Sequence, residues 1–308
     1  MPRKVVLVAD PGIDTAFAVA LALNDPNLEV VGLLPTAGNV PAEQATANVH
    51  TLIDVLDPPK WPRLGAALPV RYDADGAPLH GPGGLGGVSF PSATRHTLHL
   101  ADKILCELAH EHPRQLTVIN LGPLTTLAAA LDRDPTLPAV IDRTVIVGGA
   151  WREPGNAGPV AEFHIHLDPD AAKRVFAAEL NPLLIPLDST RKLIFSPRDL
   201  LELPNPDSRT CQFLRKIVPF GIRASSNLYG IEGFHLKDVL GVAAVAIAGC
   251  VSSEPHYLDV ETRGDLTRGM TVIDARPGRP AAANARVATG VAVDEVRTYI
   301  ERTLKGSL

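Results

Sequence analysis

Short apolar runs rich in branched residues recur along the chain at Val5–Val8, Leu28–Leu34, Leu116–Leu121, Thr144–Val147 and Leu183–Leu187, bounded by Gly, Pro or Asp. They are continuous rather than alternating, which suits strands covered on both faces. Between them lie helical patterns at Thr15–Asn24, Ala42–Leu56, Leu100–His110, Leu124–Leu131 and Pro169–Leu180. Strand alternating with helix is the mark of βαβ units, so the expected fold is α/β: an open, mostly parallel, Rossmann-like sheet flanked by helices. Beyond about residue 200 the pattern loosens. Helical pieces fall at Ser208–Val218 and Lys237–Cys250, strand-like pieces at Tyr257–Thr262, Met270–Asp274 and Arg286–Val291, and a closing helix at Val293–Leu304. No repeat or low-complexity linker marks a boundary, so residues 1–308 are expected to form a single domain with a helical and β-rich C-terminal extension.

Composition narrows the partners. A net charge of -5, with no run of Lys or Arg, leaves no electrostatic footprint for nucleic acid or an anionic membrane. The apolar run LGVAAVAIAGCV from Leu240 is about a dozen residues long, short of the ~20 that span a bilayer. The apolar stretch after MPRK stops at Asp10, too soon for a signal-peptide core. Cys106, Cys211 and Cys250 lie far apart and form no CxxC pair, which argues against a disulfide framework or zinc ribbon and for a reducing cytoplasm.

Ligands of an open parallel sheet bind beyond the carboxyl ends of its strands. Polar residues and glycines collect at those junctions here: Asp10, Thr36–Asn39, Leu121–Thr126 and Gly148–Trp151. Asp10 closes a buried strand, where a carboxylate needs a partner. Asp14 stands where a helix N-cap is expected. HGPGGLGG, His80–Gly87, lacks the Lys-Ser/Thr tail of a phosphate loop and is expected to be a flexible wall or lid with His80 at its base. If Ala161–Ala172 is extended, Glu162, His164 and His166 share a face, which leaves open a zinc hydrolase using His164, His166 and Asp168. GFHLKDVLGVAAVA puts Lys237 beside Asp238 at the start of a buried helix. The helix dipole favours the acid there, but not the lysine.

Taken together, ADPGIDTA, AGNVPAEQATANV, HGPGGLGG, LGPLTTLAAAL, VGGAWREPGN, AEFHIHLDP and HLKDVLGVAAV resemble, in order, the motifs of the inosine-uridine preferring nucleoside hydrolase family. The first looks like its DxDPGxDDA signature. The resemblance implies hydrolysis of the N-glycosidic bond of ribonucleosides in purine and pyrimidine salvage, by a homodimer or homotetramer, with a calcium ion holding the attacking water and the ribose 2′ and 3′ hydroxyls. It casts Asp10 as metal-bound general base, Asp14 and Asn39 as ligands of the ribose hydroxyls, and Asn156 and Glu162 as holders of the rest of the sugar. The Thr125 carbonyl would face the metal and Asp238 would bind it. His80, Tyr229 and Phe234 fall on the base side. Positive charge develops on the ribose as the bond breaks, so a ring of carboxylates is what the chemistry needs.

The chain departs from that pattern at four places. Val8 replaces the first Asp of the signature, and Thr15 replaces a calcium-binding Asp. His164 stands for a sugar-binding Asn, and Lys237, with His235 two residues earlier, for a His that assists the leaving base. Two metal carboxylates, Asp10 and Asp238, remain of three, and divalent affinity tracks ligand charge. Calcium is therefore expected to bind weakly or not at all. A metal-deficient ribose- or nucleoside-binding homologue without turnover is the alternative.

Overall fold

The computed structural model describes residues 2–91, 99–276 and 282–307. Its strands are β1 (Arg3–Ala9), β2 (Leu28–Pro35), β3 (Arg63–Leu64), β4 (Leu116–Leu121), β5 (Arg143–Val147), β6 (Leu183–Ile185), β7 (Ile194–Phe195), β8 (Phe234–His235), β9 (Val251–Val260), β10 (Thr271–Asp274) and β11 (Ala285–Val291). Nine of them form one sheet in the order β10-β9-β11-β6-β5-β4-β1-β2-β3, and β7 pairs with β8. From β3 through β11 the pairings are parallel, and β9 runs against both of its neighbours. The sheet is thus mixed but mostly parallel, as the alternating pattern predicts.

The continuous apolar runs are explained by burial on both faces. Along β1, Val5, Leu7 and Ala9 point into one core while Val6 and Val8 point into the other. Helices Ile13–Asn24, Ala42–Leu56, Arg209–Tyr229, Lys237–Ala246 and Val293–Lys305 cover the first face. Helices Ala101–Glu111, Thr125–Arg133 and Pro169–Phe176 cover the second. Strand order reverses between β1 and β4, each of which leads away from the other, and a crevice opens there beyond their carboxyl ends.

Several sequence-based boundaries move. The strand expected over Leu183–Leu187 stops at Ile185, because Pro186 has no N–H to donate and caps a one-turn helix, Leu187–Thr190. The helix expected over Ser208–Val218 continues through Pro219 to Tyr229, where Gly230 ends it at φ +66°. The helix from Lys237 stops at Ala246 rather than Cys250, and that from Pro169 at Phe176 rather than Leu180. The strand expected at Tyr257–Thr262 starts earlier, at Val251, and ends at Val260. Among the described residues no helix is long and apolar enough to cross a membrane.

Candidate active site

Two helices begin side by side at the crevice. Ile13–Asn24 packs against Lys237–Ala246, and Gly241 lets the second helix press onto the sheet, since a Cβ there would lie 2.7 Å from Val147 Cγ2 and 2.8 Å from Leu121 Cδ2. Their N-terminal turns bring Asp14 and Thr15 next to Asp238. The Thr15 hydroxyl donates to Asp238 Oδ2 at 2.6 Å and lies 3.4 Å from Asp10 Oδ1, so the acids at the ends of the two segments meet across it. Asp14 was expected to cap its helix; it lies instead in the first turn, behind an N-cap at Gly12.

Asp10 is fully buried. Its Oδ2 accepts the Asn39 backbone N–H at 3.0 Å, and its carbonyl accepts from Asn39 Nδ2 at 2.9 Å. Gly38 makes this approach possible, because a Cβ there would stand 2.2 Å from Asp10 Oδ2. His164 faces the same carboxylate, with Nε2 3.4 Å from Asp10 Oδ2. Burial raises the pKa of Asp10 and His164 pulls it back, leaving it above the ordinary carboxylate value. Asp238 is raised well above its ordinary value by burial and by Asp14, against His164 and the Thr15 hydroxyl. Burial works against a charge on His164, but Glu162, Asp10 and Asp238 outweigh it and hold the imidazolium up to about 10. Asp14 Oδ1 and Asp238 Oδ1 are buried without a hydrogen-bond partner.

The expectation for Ala161–Ala172 is corrected here. Phe163–Leu167 is a one-turn helix, not a strand, and Glu162 caps it: Oε2 accepts the N–H groups of Gly149, His164 and Ile165 at 3.1, 3.0 and 3.3 Å. On a helix, residues two apart diverge. His164 turns inward to the crevice, whereas His166 Nδ1 lies 3.2 Å from the Arg268 carbonyl. Asp168 caps the next helix at Ala171 N–H, 3.0 Å, and accepts from the Thr125 hydroxyl at 2.6 Å. The zinc constellation is therefore not assembled. Among the described residues no three His, Cys, Asp or Glu side chains are arranged to hold a metal ion.

Calcium takes six to eight oxygens with a high carboxylate count. Around Asp10 the chain offers the Asp238 carboxylate, the Thr15 hydroxyl already donating to it, and the His164 ring beside Asp10. That donor set does not fit a tightly held calcium ion. The Thr125 side chain is turned toward Asp168 and Tyr72, 3.1 Å from the Tyr72 hydroxyl.

Next to the acids lies an apolar hollow. A cavity of ≈ 220 Å³ is lined by Leu79, Asn156, Leu187, Tyr229, Phe234 and Lys237, with Arg191, Ser225, Ile231 and His235 completing its wall. A second, of ≈ 180 Å³, shares Leu79, Asn156, Tyr229 and Lys237 with it and reaches Asn39 and His80. Asn156 Oδ1 accepts the Phe163 N–H at 2.8 Å, which leaves its amide N–H groups for a ligand. His80 Nδ1 accepts the Ile13 N–H at 3.0 Å, and burial lowers its pKa to about 4, with Asp14 opposing. His235 is likewise lowered to about 4, by burial and then by Lys237. Burial also pulls on the Lys237 ammonium, but Asp14, Glu162 and Asp238 more than offset it, so its pKa sits above the ordinary lysine value. Tyr229 is half exposed at the rim. The glycine-rich loop is a packed wall: Gly84 backs onto the Pro11 carbonyl and Gly86 onto Ile217.

Sequence reasoning missed Tyr72, whose hydroxyl donates to the Ala37 carbonyl at 2.9 Å. It also missed Arg191, Leu79 and Ile231, which sit outside the motif segments and come to the cavity only through tertiary packing. The carbonyl of Val147, 3.2 Å from His164 Nδ1, carried no sequence signal at all.

A buried ring of carboxylates at the switch point of such a sheet, opening onto an apolar hollow, defines a glycosidase of the nucleoside hydrolase fold. The chain belongs to the inosine-uridine preferring nucleoside hydrolase family, whose model matches residues 5–298. It is 34% identical over 280 residues to a protein named probable uridine nucleosidase 2 from Oryza sativa, covering 88% of this chain and 82% of that one. It is 31% identical over 300 residues to the inosine-uridine preferring nucleoside hydrolase of Leishmania major, covering 96% and 95%. Among solved structures it superposes on a purine-preferring ribonucleoside hydrolase from Gardnerella vaginalis with a TM-score of 0.91 at 27% identity, covering 99% of this chain and 98% of the other.

Proposed function

We propose that this chain hydrolyses the N-glycosidic bond of ribonucleosides, with Asp10 as general base. The observation that carries the reading is the gathering of Asp10, Asp14, Glu162 and Asp238, all buried, about Thr15, His164 and Lys237. Burial keeps the Asp10 carboxylate more basic than usual, which suits a group that takes a proton from water near neutral pH. The water oxygen bonds to C1′, the bond to the base nitrogen breaks, and the carboxylates offset the positive charge that develops on the ribose. The oxygens of Asp14 and Asp238 without a hydrogen-bond partner are ready acceptors for ribose hydroxyls, and Asn39 and Asn156 add polar groups to the neighbouring cavity wall. His164, engaged with the Val147 carbonyl and Asp10, puts a ring where the resemblance expects an Asn.

In this reading calcium is bound weakly or not at all. Thr15 in place of a carboxylate, and the His164 ring against Asp10, support it. Three free, buried cysteines suit a reducing, cytoplasmic setting, and the family resemblance favours a homodimer or homotetramer, which sedimentation will size.

The test is release of base from inosine, uridine and other ribosides by the purified chain, with and without calcium or chelator. Release that persists in chelator and falls by about 10³-fold in Asp10→Asn, within the range for a lost general base, supports the reading. Binding of ribosides without release would identify a nucleoside-binding homologue instead.

A further inference from the structure

The base half of the hollow holds several polar groups, and they differ in what they can offer a departing base. His80 uses Nδ1 to accept the Ile13 N–H, so its ring is the neutral tautomer with its hydrogen on Nε2, a dipole without the positive charge that an anion calls for. Phe234 packs edge-on against it, with ring centroids 6.1 Å apart. His235 Nδ1 is buried without a partner, the state of a neutral ring in a dry wall. Arg191 is tied down, with Nη1 3.0 Å from Glu153 Oε2 and Nη2 3.3 Å from the Gly155 carbonyl. Lys237 is different. Among the described residues it has no hydrogen-bond or ion-pair partner, and it lines both parts of the hollow. The carboxylates of Asp14, Glu162 and Asp238 act on its charge, and it shares a cavity wall with Leu79, Tyr229 and Phe234. That seam between the acidic and apolar halves is where a bond joining a sugar to a flat base would lie.

We propose that Lys237 is a catalytic residue of the leaving-group half: its ammonium donates to the departing base and stabilises it as an anion, so the chain selects ribosides of acidic, uracil-like bases over purines that must be protonated to leave. The inference rests on the hydrolase reading above and adds its substrate class. The electron pair of the C1′–N bond passes to the base nitrogen, where the ammonium faces it. The water proton goes to Asp10 and then to solvent, and the released anion takes up a proton from solvent. No proton leaves Lys237. A half-buried ammonium beside an apolar wall stabilises such charge better than water would, without reorganising.

Three substrates and two variants of the full chain separate the possibilities. 4-Nitrophenyl β-ribofuranoside loses a stable anion without assistance, uridine gains from it, and inosine needs a proton. The wild type is expected to turn over the nitrophenyl riboside and uridine well ahead of inosine. Lys237→Met should cut kcat/KM for uridine by about 100-fold, the loss typical of one oxyanion donor, while the nitrophenyl riboside falls by less than about 5-fold. Lys237→Arg, which keeps the charge, should recover most of the uridine activity and guards against a folding defect in the Met variant. Equal losses on the two substrates would place Lys237 on the sugar and overturn the proposal, as would inosine turnover matching uridine. Release from none of the three by the wild type would overturn the hydrolase reading itself, a different result from either.

Discussion

His164 touches three neighbours, and together they fix its charge. Nδ1 lies 3.2 Å from the Val147 carbonyl, so it carries a hydrogen, and Nε2 faces the Asp10 carboxylate at 3.4 Å. That second approach is attractive only when Nε2 is protonated as well, and Glu162 Oε1 at 3.8 Å adds to the pull. A positive charge thus stands against Asp10, next to Thr15, where the family resemblance expects a neutral Asn and a carboxylate. One substitution removes a negative charge and the other adds a positive one. Calorimetry is therefore expected to find wild-type calcium binding no tighter than about 10⁻³ M, and the double variant Thr15→Asp with His164→Asn to bind at least about 100-fold more tightly. Tight binding by the wild type would refute the charge argument. His80 sets a pH limit at the same scale. Its pKa falls from 6.5 to about 4 on folding. Above pH 6.5 it is neutral in both states and contributes nothing. Between 6.5 and 4 the unfolded chain binds a proton that the folded one refuses, so stability drops as the pH falls. The gap is worth about 3 kcal/mol, at about 1.4 kcal/mol per pH unit. Urea titrations across that window should show the decline, and His80→Gln should make it shallower, the remainder belonging to His235, which burial lowers to about 4 as well.

Elements, more than residues, decided what could be foreseen. The strands β1, β2, β4 and β5 were legible because each is an apolar run buried on both faces, and the acids beyond them were legible because the turn residues Asp10-Pro11-Gly12 and Gly148-Gly149 punctuate strand ends. The segment FHIHL misleads for a physical reason. Phe163, Ile165 and Leu167 alternate with histidines at the period of a strand, yet the Glu162 carboxylate gathers backbone N–H groups that only a helical turn presents together. Local capping overrides the two-residue period, and it turns one histidine into the site and the other out. Glu162 thereby serves the element as well as the sugar. Glu162→Ala should cost about 2 kcal/mol in urea unfolding, the upper range for a lost cap, and should lower riboside affinity further because His164 loses its seat. A variant that keeps full stability while losing affinity would separate the two roles and show the cap to be dispensable. Tyr72 had no such signal: it reaches the Thr125 hydroxyl from the irregular loop that follows β3.

At the scale of the molecule, residues beyond about 200 share a core with those before it. One core runs from Val5 on β1 through Phe213 and Leu240 to Leu304 in the last helix. β11 pairs with β6, carrying β9 and β10 into the same sheet. Tyr299 is buried in the closing helix and donates to Asp25 Oδ2 at 3.0 Å, tying that helix to the turn after the first one. Helix Lys237–Ala246, which brings Asp238 to Asp10, is itself part of this shared core, so the site exists only when both regions are folded. The chain is therefore expected to unfold as one unit. Its two tryptophans provide the probe. Trp61 precedes β3 at one edge of the sheet, and Trp151 packs against His256 of β9, with ring centroids 5.0 Å apart, near the other. Fluorescence of Trp61→Phe and Trp151→Phe, each reporting the remaining tryptophan, should follow the far-UV circular dichroism transition at a common urea midpoint once corrected for each variant's stability. If the Trp151 signal melted apart from the Trp61 signal, the core shared by β1 and the closing helix would not be cooperative. The carboxylates of Asp10 and Asp238 could then be brought together by ligand rather than by folding.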